Sequence, residues 1–120
     1  MKVTYRNLIE AAQALDEISQ KDLEIKEALE LARLIRLCRN EIKIFEEQRL
    51  KLCEKHGKLN EQGTNYDFSD EGMRAFSKDF SKLLDLEINI PSGKVSLKSK
   101  GLKLKAATVL ACDSFVKFAG

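Results

Sequence analysis

KDLEIKEALELARLIRLCRNEIKIFEEQRLKLCEKH, the stretch from Lys21 to His56, decides the fold of this chain, and we call it the spine. Its seam residues alternate spacings of three and four, which is the pattern of one long helix with a single buried stripe. The stripe consists of Ala28, Leu31, Ile35, Cys38, Ile42, Phe45, Arg49, Leu52 and His56. At 1.5 Å per residue the spine is about 54 Å long as a helix. One short helix cannot cover that length, so we expect two helices to share it.

Two shorter helices are predicted on either side of the spine. Heptad-spaced apolar residues define them, namely Leu8, Ala11, Leu15 and Ile18 in the first and Met73, Phe76, Phe80 and Leu83 in the second. Asn7, followed by Glu10, fits the N-cap of the first helix, and Ser69 fits that of the second. Short connections place neighbouring helices antiparallel. We therefore expect the first helix to cover the first half of the spine and the second helix its second half.

The pattern changes after residue 85. Apolar residues alternate with polar ones at Leu86, Ile88 and Ile90 and again at Val95 and Leu97, with Pro-Ser-Gly between them. This predicts a strand, a turn and a second strand, which together form a small C-terminal β-hairpin or sheet. Residues 102–104 fit a further short strand. Residues 106–118 have the apolar spacing of a closing helix.

The predicted fold class is therefore α+β and mainly helical, with a short first strand at 2–6. A long central helix is packed by two shorter antiparallel helices. We expect one domain over 1–120, with a helical part at 1–85 and the strand-turn-strand plus a C-terminal helix at 86–120. A chain of 120 residues with 43% hydrophobic residues buries enough surface to fold without a disulfide or a metal.

Charge and cysteine content narrow the class of protein. Charged residues make up 33% of the chain but the net charge is only +2, which argues against a disordered or strongly basic chain. No apolar run approaches a membrane span and the N-terminal stretch does not fit a signal peptide. Three cysteines without paired spacing favour reduced thiols. We expect a cytoplasmic protein that does not contact a membrane.

No catalytic residue, metal site or cofactor is predicted. Cys53 and His56 lie three residues apart on one helix face, but a nucleophilic pair also needs a group that orients the imidazole. A zinc site needs two further ligands, and only Cys38 and Cys112 remain as thiols. We therefore interpret Cys53 as a core cysteine and His56 as a residue favoured by the dipole at the end of the spine.

Leu37, Ile44 and Arg49 are the predicted protein-interaction residues. Leu37 and Ile44 lie seven residues apart, opposite the main seam, where a helix covered on one side has polar residues. Either the C-terminal part covers them or they belong to an interface with another chain. Arg49 interrupts the seam, and it either pairs with an acid such as Asp79 or marks where the seam opens.

A lysine strip is the strongest charge asymmetry, formed by Lys94, Lys98, Lys100, Lys103 and Lys105. Lysines bind phosphates without reading sequence, and they also protect sheet edges from aggregation. The strip contains no arginine for base edges and no aromatic residue for stacking. A solvated or edge-protecting role is the favoured interpretation, ahead of a partner-binding role and of nucleic-acid binding.

Several segments follow one another in an order that covers the whole chain. They are MKVTYRNLIEAAQAL at the start, a long charged helix containing IFEEQRLKLCEKHG, a polar loop, FSKDFSKLLDLEINI, and a short apolar C-terminal stretch. In this order the chain resembles a family of small uncharacterised proteins common in tailed-phage and prophage genomes. The resemblance implies phage or prophage origin, and therefore the host-cell cytoplasm. It implies no known chemistry and assigns no functional residue.

These observations lead to two functional hypotheses. The first is a non-enzymatic phage or prophage protein-binding module, monomeric or homodimeric, that is either an accessory or assembly component or an inhibitor of a host defence complex. The alternative is a weak, sequence-independent nucleic-acid binder that uses the lysine strip.

Overall fold

The spine forms one uninterrupted helix in the structure, a computed structural model that describes residues 1–120. This helix, α2, spans Ile25–His56 and contains 32 residues. It begins four residues later than predicted, because residues 21–24 form the connection from the preceding helix and Glu24 is the extended N-cap. It ends where predicted, with Gly57 as the C-cap.

The first flanking helix, α1, spans Tyr5–Ser19 and starts earlier than predicted. Thr4 is its N-cap: the Thr4 Oγ1 accepts the Asn7 N–H at 3.1 Å, and the Asn7 Oδ1 accepts the Thr4 N–H at 3.3 Å. The predicted N-cap, Asn7, is therefore the N3 residue of this box. The predicted start of α1 was one turn too late, because the side chain of Asn7 suits the N-cap position and the N3 position alike.

The second flanking helix, α3, spans Asp70–Leu84. The Ser69 Oγ accepts the Gly72 N–H at 3.0 Å, which confirms Ser69 as its N-cap. Aromatic rings show how the three helices meet, since Phe45 of α2 lies 5.2 Å from the Tyr5 ring of α1 and 5.7 Å from the Phe80 ring of α3. The two flanking helices therefore share the length of α2, as predicted. Their coverage is unequal, because α3 contains no fully buried residue.

The strands pair differently from the prediction. Strand β1 (Lys2–Thr4) is antiparallel to β4 (Glu87–Asn89). Strand β5 (Val95–Lys98) is parallel to β6 (Val116–Ala119), and β2 (Lys58–Leu59) with β3 (Tyr66–Asp67) closes the loop after α2. The predicted small C-terminal sheet is present as β5 and β6, but the predicted pairing of β4 with β5 in a hairpin is wrong. The alternation of apolar and polar residues located both β4 and β5. It indicates which face of a strand is buried, but not which other strand pairs with it.

The predicted closing helix is also wrong over most of its length. Helix α4 is only Ala106–Ala111, and the chain then turns into β6. Phe115 and Phe118 fit a helical spacing of three, whereas Val116 and Phe118 fit a strand period of two, and so short an apolar segment does not distinguish a helix from a strand. Residues 102–104 form no strand and follow a turn at Gly101, whose φ is +78°.

The C-terminal part packs against the turn between α1 and α2. The Thr108 hydroxyl lies 2.7 Å from the Glu17 carboxylate, and the Lys98 ammonium lies 2.9 Å from that of Glu24. One hydrophobic cluster of 18 buried residues includes Val3 near the start of the chain and Val116 near its end. The chain is thus α+β and mainly helical, as predicted, and none of its helices has the length and apolar character needed to span a membrane.

Candidate functional site

The three predicted interaction residues do not form one site. Leu37 is half-buried and packs against the core, whereas Ile44 remains 44% exposed. Arg49 pairs with Glu46, one turn earlier on the same helix, with its Nε 2.9 Å from the Glu46 Oε2. The suggested pairing of Arg49 with Asp79 is wrong, because Asp79 has other partners on α2.

Those partners of Asp79 are His56 and Lys55, at the far end of α2. His56 Nε2 lies 2.8 Å from the Asp79 Oδ2, and the Lys55 ammonium lies 3.8 Å from the same atom. The hydrogen bond from His56 is the largest of the causes that hold the pKa of Asp79 below its ordinary value; burial opposes it, and Lys55 assists it. This contact joins the end of α2 to α3.

Asp79 therefore orients the imidazole of His56, but the thiol of Cys53 forms its hydrogen bond with another residue. The Cys53 Sγ accepts from the Arg49 guanidinium at 3.8 Å. All three cysteines are buried and unbridged, and burial raises the pKa of Cys38 to about 11 and also raises that of Cys112. Buried, protonated thiols are inert, so Cys38 and Cys112 have the character of core residues. No group of three or more His, Cys, Asp or Glu residues is arranged to hold a metal.

Asp79→Asn is expected to weaken the joint between α2 and α3 and to change its acid sensitivity. A carboxyl with a lowered folded-state pKa stabilises the fold above its unfolded pKa, near 4, and loses that contribution as pH falls through the folded value. The variant should therefore have a lower Tm at neutral pH and a shallower fall of Tm below about pH 4. Thermal unfolding across that pH range measures both. Glu61→Gln, an exposed change in the loop, should keep the wild-type profile; identical profiles for the two variants would contradict the assignment.

The lysine strip is exposed along its whole length but is not uniformly free. Lys98 is held by Glu24, whose hydrogen bond is the largest cause that raises the pKa of Lys98. Lys94, Lys100, Lys103 and Lys105 form no ion pair in the structure. The half-buried Leu102 and Leu104 alternate with the last three lysines, so part of the strip follows the edge of the core.

A second surface emerges on the first half of α2, which we call the α2 outer face. Its apolar members are Ile25, which is 80% exposed, Leu29, which is 51% exposed, and the exposed Ala28 and Ala32. Its charged members are all cations, namely Lys26, Arg33, Arg36, Arg39 and Lys43. At 100° per residue these positions fall within an arc of about 160°. The other side of the helix packs on α1.

A cleft of about 350 Å³ opens beside this face, at the turn between α1 and α2. Ala28 and Ala32 are too small to fill the space between the two helices, and Leu23, Leu31 and Ile35 supply the rest of its apolar lining. Lys21, Arg36 and Arg39 stand at its edge. The size is within the range of binding sites for small ligands or single large side chains.

Sequence reasoning missed this face, although a signal for it exists. Ile25 and Leu29 are a large apolar pair at i and i+4, displaced from the main seam. From the sequence of the spine alone, Ile25 and Leu29 cannot be told apart from core residues beside the seam. Their exposure depends on which neighbours the tertiary structure supplies. Searches with this chain find no matching family model, no matching curated protein and no matching solved structure.

Proposed function

We propose that this chain is a non-enzymatic protein-binding module of phage or prophage origin, acting in the host-cell cytoplasm. The observation that carries the proposal is the uncovered apolar surface on a rigid helix: Ile25 and Leu29 are exposed one turn apart, next to the cleft. Burying an exposed Leu or Ile is favourable by about 1.5 to 3 kcal/mol, which makes such residues suitable anchors for a partner.

The rigidity of this surface supports the same function. Helix α2 is buried on its opposite side through Leu31, Leu34 and Cys38, so the outer face is held in place before any partner binds. A pre-ordered surface loses little entropy on association. A protein-binding module of phage or prophage origin fits two roles, an accessory or assembly component and an inhibitor of a host defence complex.

The double variant Ile25→Ser/Leu29→Ser is expected to lose partner capture by at least about tenfold, which corresponds to about 1.4 kcal/mol. Both side chains are exposed, so the change in Tm should be small. Affinity capture with the full chain, quantified by mass spectrometry, measures the loss. Ile44→Ser is the matched control, since it is an exposed isoleucine elsewhere on the same helix. If Ile44→Ser loses partner capture and the double variant keeps it, the binding surface includes Leu37 and Ile44 instead of Ile25 and Leu29.

Capture from infected and uninfected cells separates the two roles. Recovery of phage proteins alone would exclude the host-target role, whereas recovery of the same host complex from both kinds of cell would favour it. Undiminished capture by the double variant and by the Ile44→Ser control would contradict binding through either side of α2.

Nucleic-acid binding through the lysine strip is the second candidate function. The observation that favours it is that Lys94, Lys100, Lys103 and Lys105 are exposed without ion-pair partners. Binding of this kind weakens steeply with added salt and does not depend on sequence. In the same capture experiment, recovery abolished by nuclease treatment and by moderate salt would support this candidate over protein binding.

A further inference from the structure

We infer that the partner of the α2 outer face is an acidic amphipathic helix. Its apolar residues pack on Ile25, Leu29 and the cleft, and its carboxylates pair with the arginines of the face. The inference rests on the protein-binding function proposed above and adds the chemistry of the partner.

The sorting of charge on α2 is the first observation behind it. Between residues 25 and 43, every fully exposed charged residue is a cation. The three acids in this range are half-buried, and the fold uses two of them directly: Glu27 accepts the Lys98 N–H at 3.4 Å and Glu41 accepts the Tyr5 hydroxyl at 3.1 Å. Glu30 lines a shallow depression at the start of β5 together with Arg33 and Val95. The surface offered to a partner is therefore cationic, although this stretch contains three acids beside its five cations.

The spacing of the cations is the second observation. Arg33, Arg36, Arg39 and Lys43 follow one another at three, three and four residues, which is a rise of about 5 Å each. Carboxylates on successive turns of a helix have the same rise. Guanidinium groups bind carboxylates through two parallel hydrogen bonds, which fixes the orientation of the partner.

One of these cations already has an acidic neighbour from α1. The Arg39 guanidinium lies 3.2 Å from the Asp16 carboxylate, and both side chains are more than half exposed. Exposed pairs of this kind contribute little to stability. A partner carboxylate therefore replaces Asp16 at small cost, and the pair shows that the face accepts a carboxylate from a neighbouring helix.

The cleft supplies the apolar half of the recognition. Its apolar lining consists of Leu23, Ala28, Leu31, Ala32 and Ile35, and the exposed cations Lys21, Arg36 and Arg39 line the same cleft. A large apolar side chain of the partner enters between the two alanines, while acids on the same partner helix reach the rim.

The same charges disfavour other occupants. A second copy of this chain would place cations against cations, because the face contains no exposed acid. Nucleic acid matches the cations but gives Ile25 and Leu29 no apolar counterpart. A membrane surface rewards buried apolar area, and this face has only two large apolar residues.

A synthetic peptide tests the inference with the full chain. The probe has about 18 residues, since residues 25–43 span about 27 Å. It contains leucines at i, i+4, i+7 and i+11 and glutamates at the flanking positions. We expect it to bind at least about tenfold more tightly than the same peptide with lysines for glutamates, with the difference reduced at high salt. Amide chemical-shift changes should centre on residues 21–43. Absence of binding, equal binding of both peptides, or shifts centred elsewhere would overturn the inference.

Charge reversal makes the test independent of folding. Arg36→Glu/Arg39→Glu leaves three cations and adds two acids to the face, so it should remove most of the preference for the glutamate peptide. Lys51→Glu/Lys78→Glu, the matched reversal at exposed lysines outside the face, should leave the preference unchanged. Tighter binding of duplex DNA or of anionic vesicles than of the glutamate peptide would also overturn the inference. Partner capture that requires Ile25 and Leu29 but is not displaced by the glutamate peptide would overturn this inference alone and leave the proposed function standing.

Discussion

Phe115→Ala should lower the free energy of unfolding by about 3 to 5 kcal/mol, the usual cost of emptying a buried phenylalanine site. Phe115 has no exposed surface, and it lies between α4 and β6. Its carbonyl accepts the Val95 N–H at 3.0 Å, so the residue also belongs to the pairing of β5 with β6. Loss of the ring leaves a cavity where the C-terminal part meets the core. Chemical denaturation followed by circular dichroism measures the effect.

Leu110→Ala is the control for this prediction. Leu110 is on α4, a few residues away, but 76% of it is exposed. Its truncation should change stability by less than about 0.5 kcal/mol. Similar losses for the two variants would show that burial of the Phe115 ring is not the cause of the loss.

Gly72→Ala should be the second most damaging change, although alanine is the better helix former. A Cβ at Gly72 would clash with the backbone carbonyl oxygen of His56, the last residue of α2. The obstacle is backbone, so α3 must move away from α2. Such overpacking costs about 1 to 3 kcal/mol, and the improved helix propensity of about 1 kcal/mol recovers only part of it. We expect a net loss of stability, measured as a lower Tm.

The same substitution at Gly93 separates close packing from glycine flexibility. A Cβ at Gly93 would meet no atom within 4 Å, and this glycine does not have a positive φ. Gly93→Ala should be neutral or slightly stabilising, because it restricts the unfolded chain. A loss equal to that of Gly72→Ala would show that the approach of α3 to His56 is not the cause.

Much of the helical architecture was predictable because its signal is local. Leu8, Ala11, Leu15 and Ile18 are all buried at the predicted spacing, and Ser69 caps α3 as expected. The cap of α1 was misplaced by one turn, since both Thr4 and Asn7 satisfy the chemistry of a cap. Helix positions therefore followed from periodicity, while the start of α1 depended on which of two residues with a suitable side chain became the N-cap.

The candidate site was less predictable than the fold. Leu37 and Ile44 were predicted as equivalent positions, either both covered by the C-terminal part or both in an interface, but one packs on the core and the other does not. Ile25 and Leu29, which are more exposed than either, have the same local pattern as residues that are covered. The exposure of a residue depends on the neighbours that the fold provides. The sequence therefore does not show which of these four residues is the most exposed.

The sequence by itself determined the long helix, its two flanking helices and the mainly helical α+β class, because an apolar repeat of three and four residues is recorded within each segment. Only the tertiary structure decided that β5 pairs with β6 rather than with β4, and that between residues 25 and 43 the acids of α2 are half-buried while its arginines are exposed. Both outcomes depend on contacts between residues distant in the chain, such as Glu41 with Tyr5 and Val95 with Val116. Local periodicity specifies which side of a segment is buried but contains no information about what covers it.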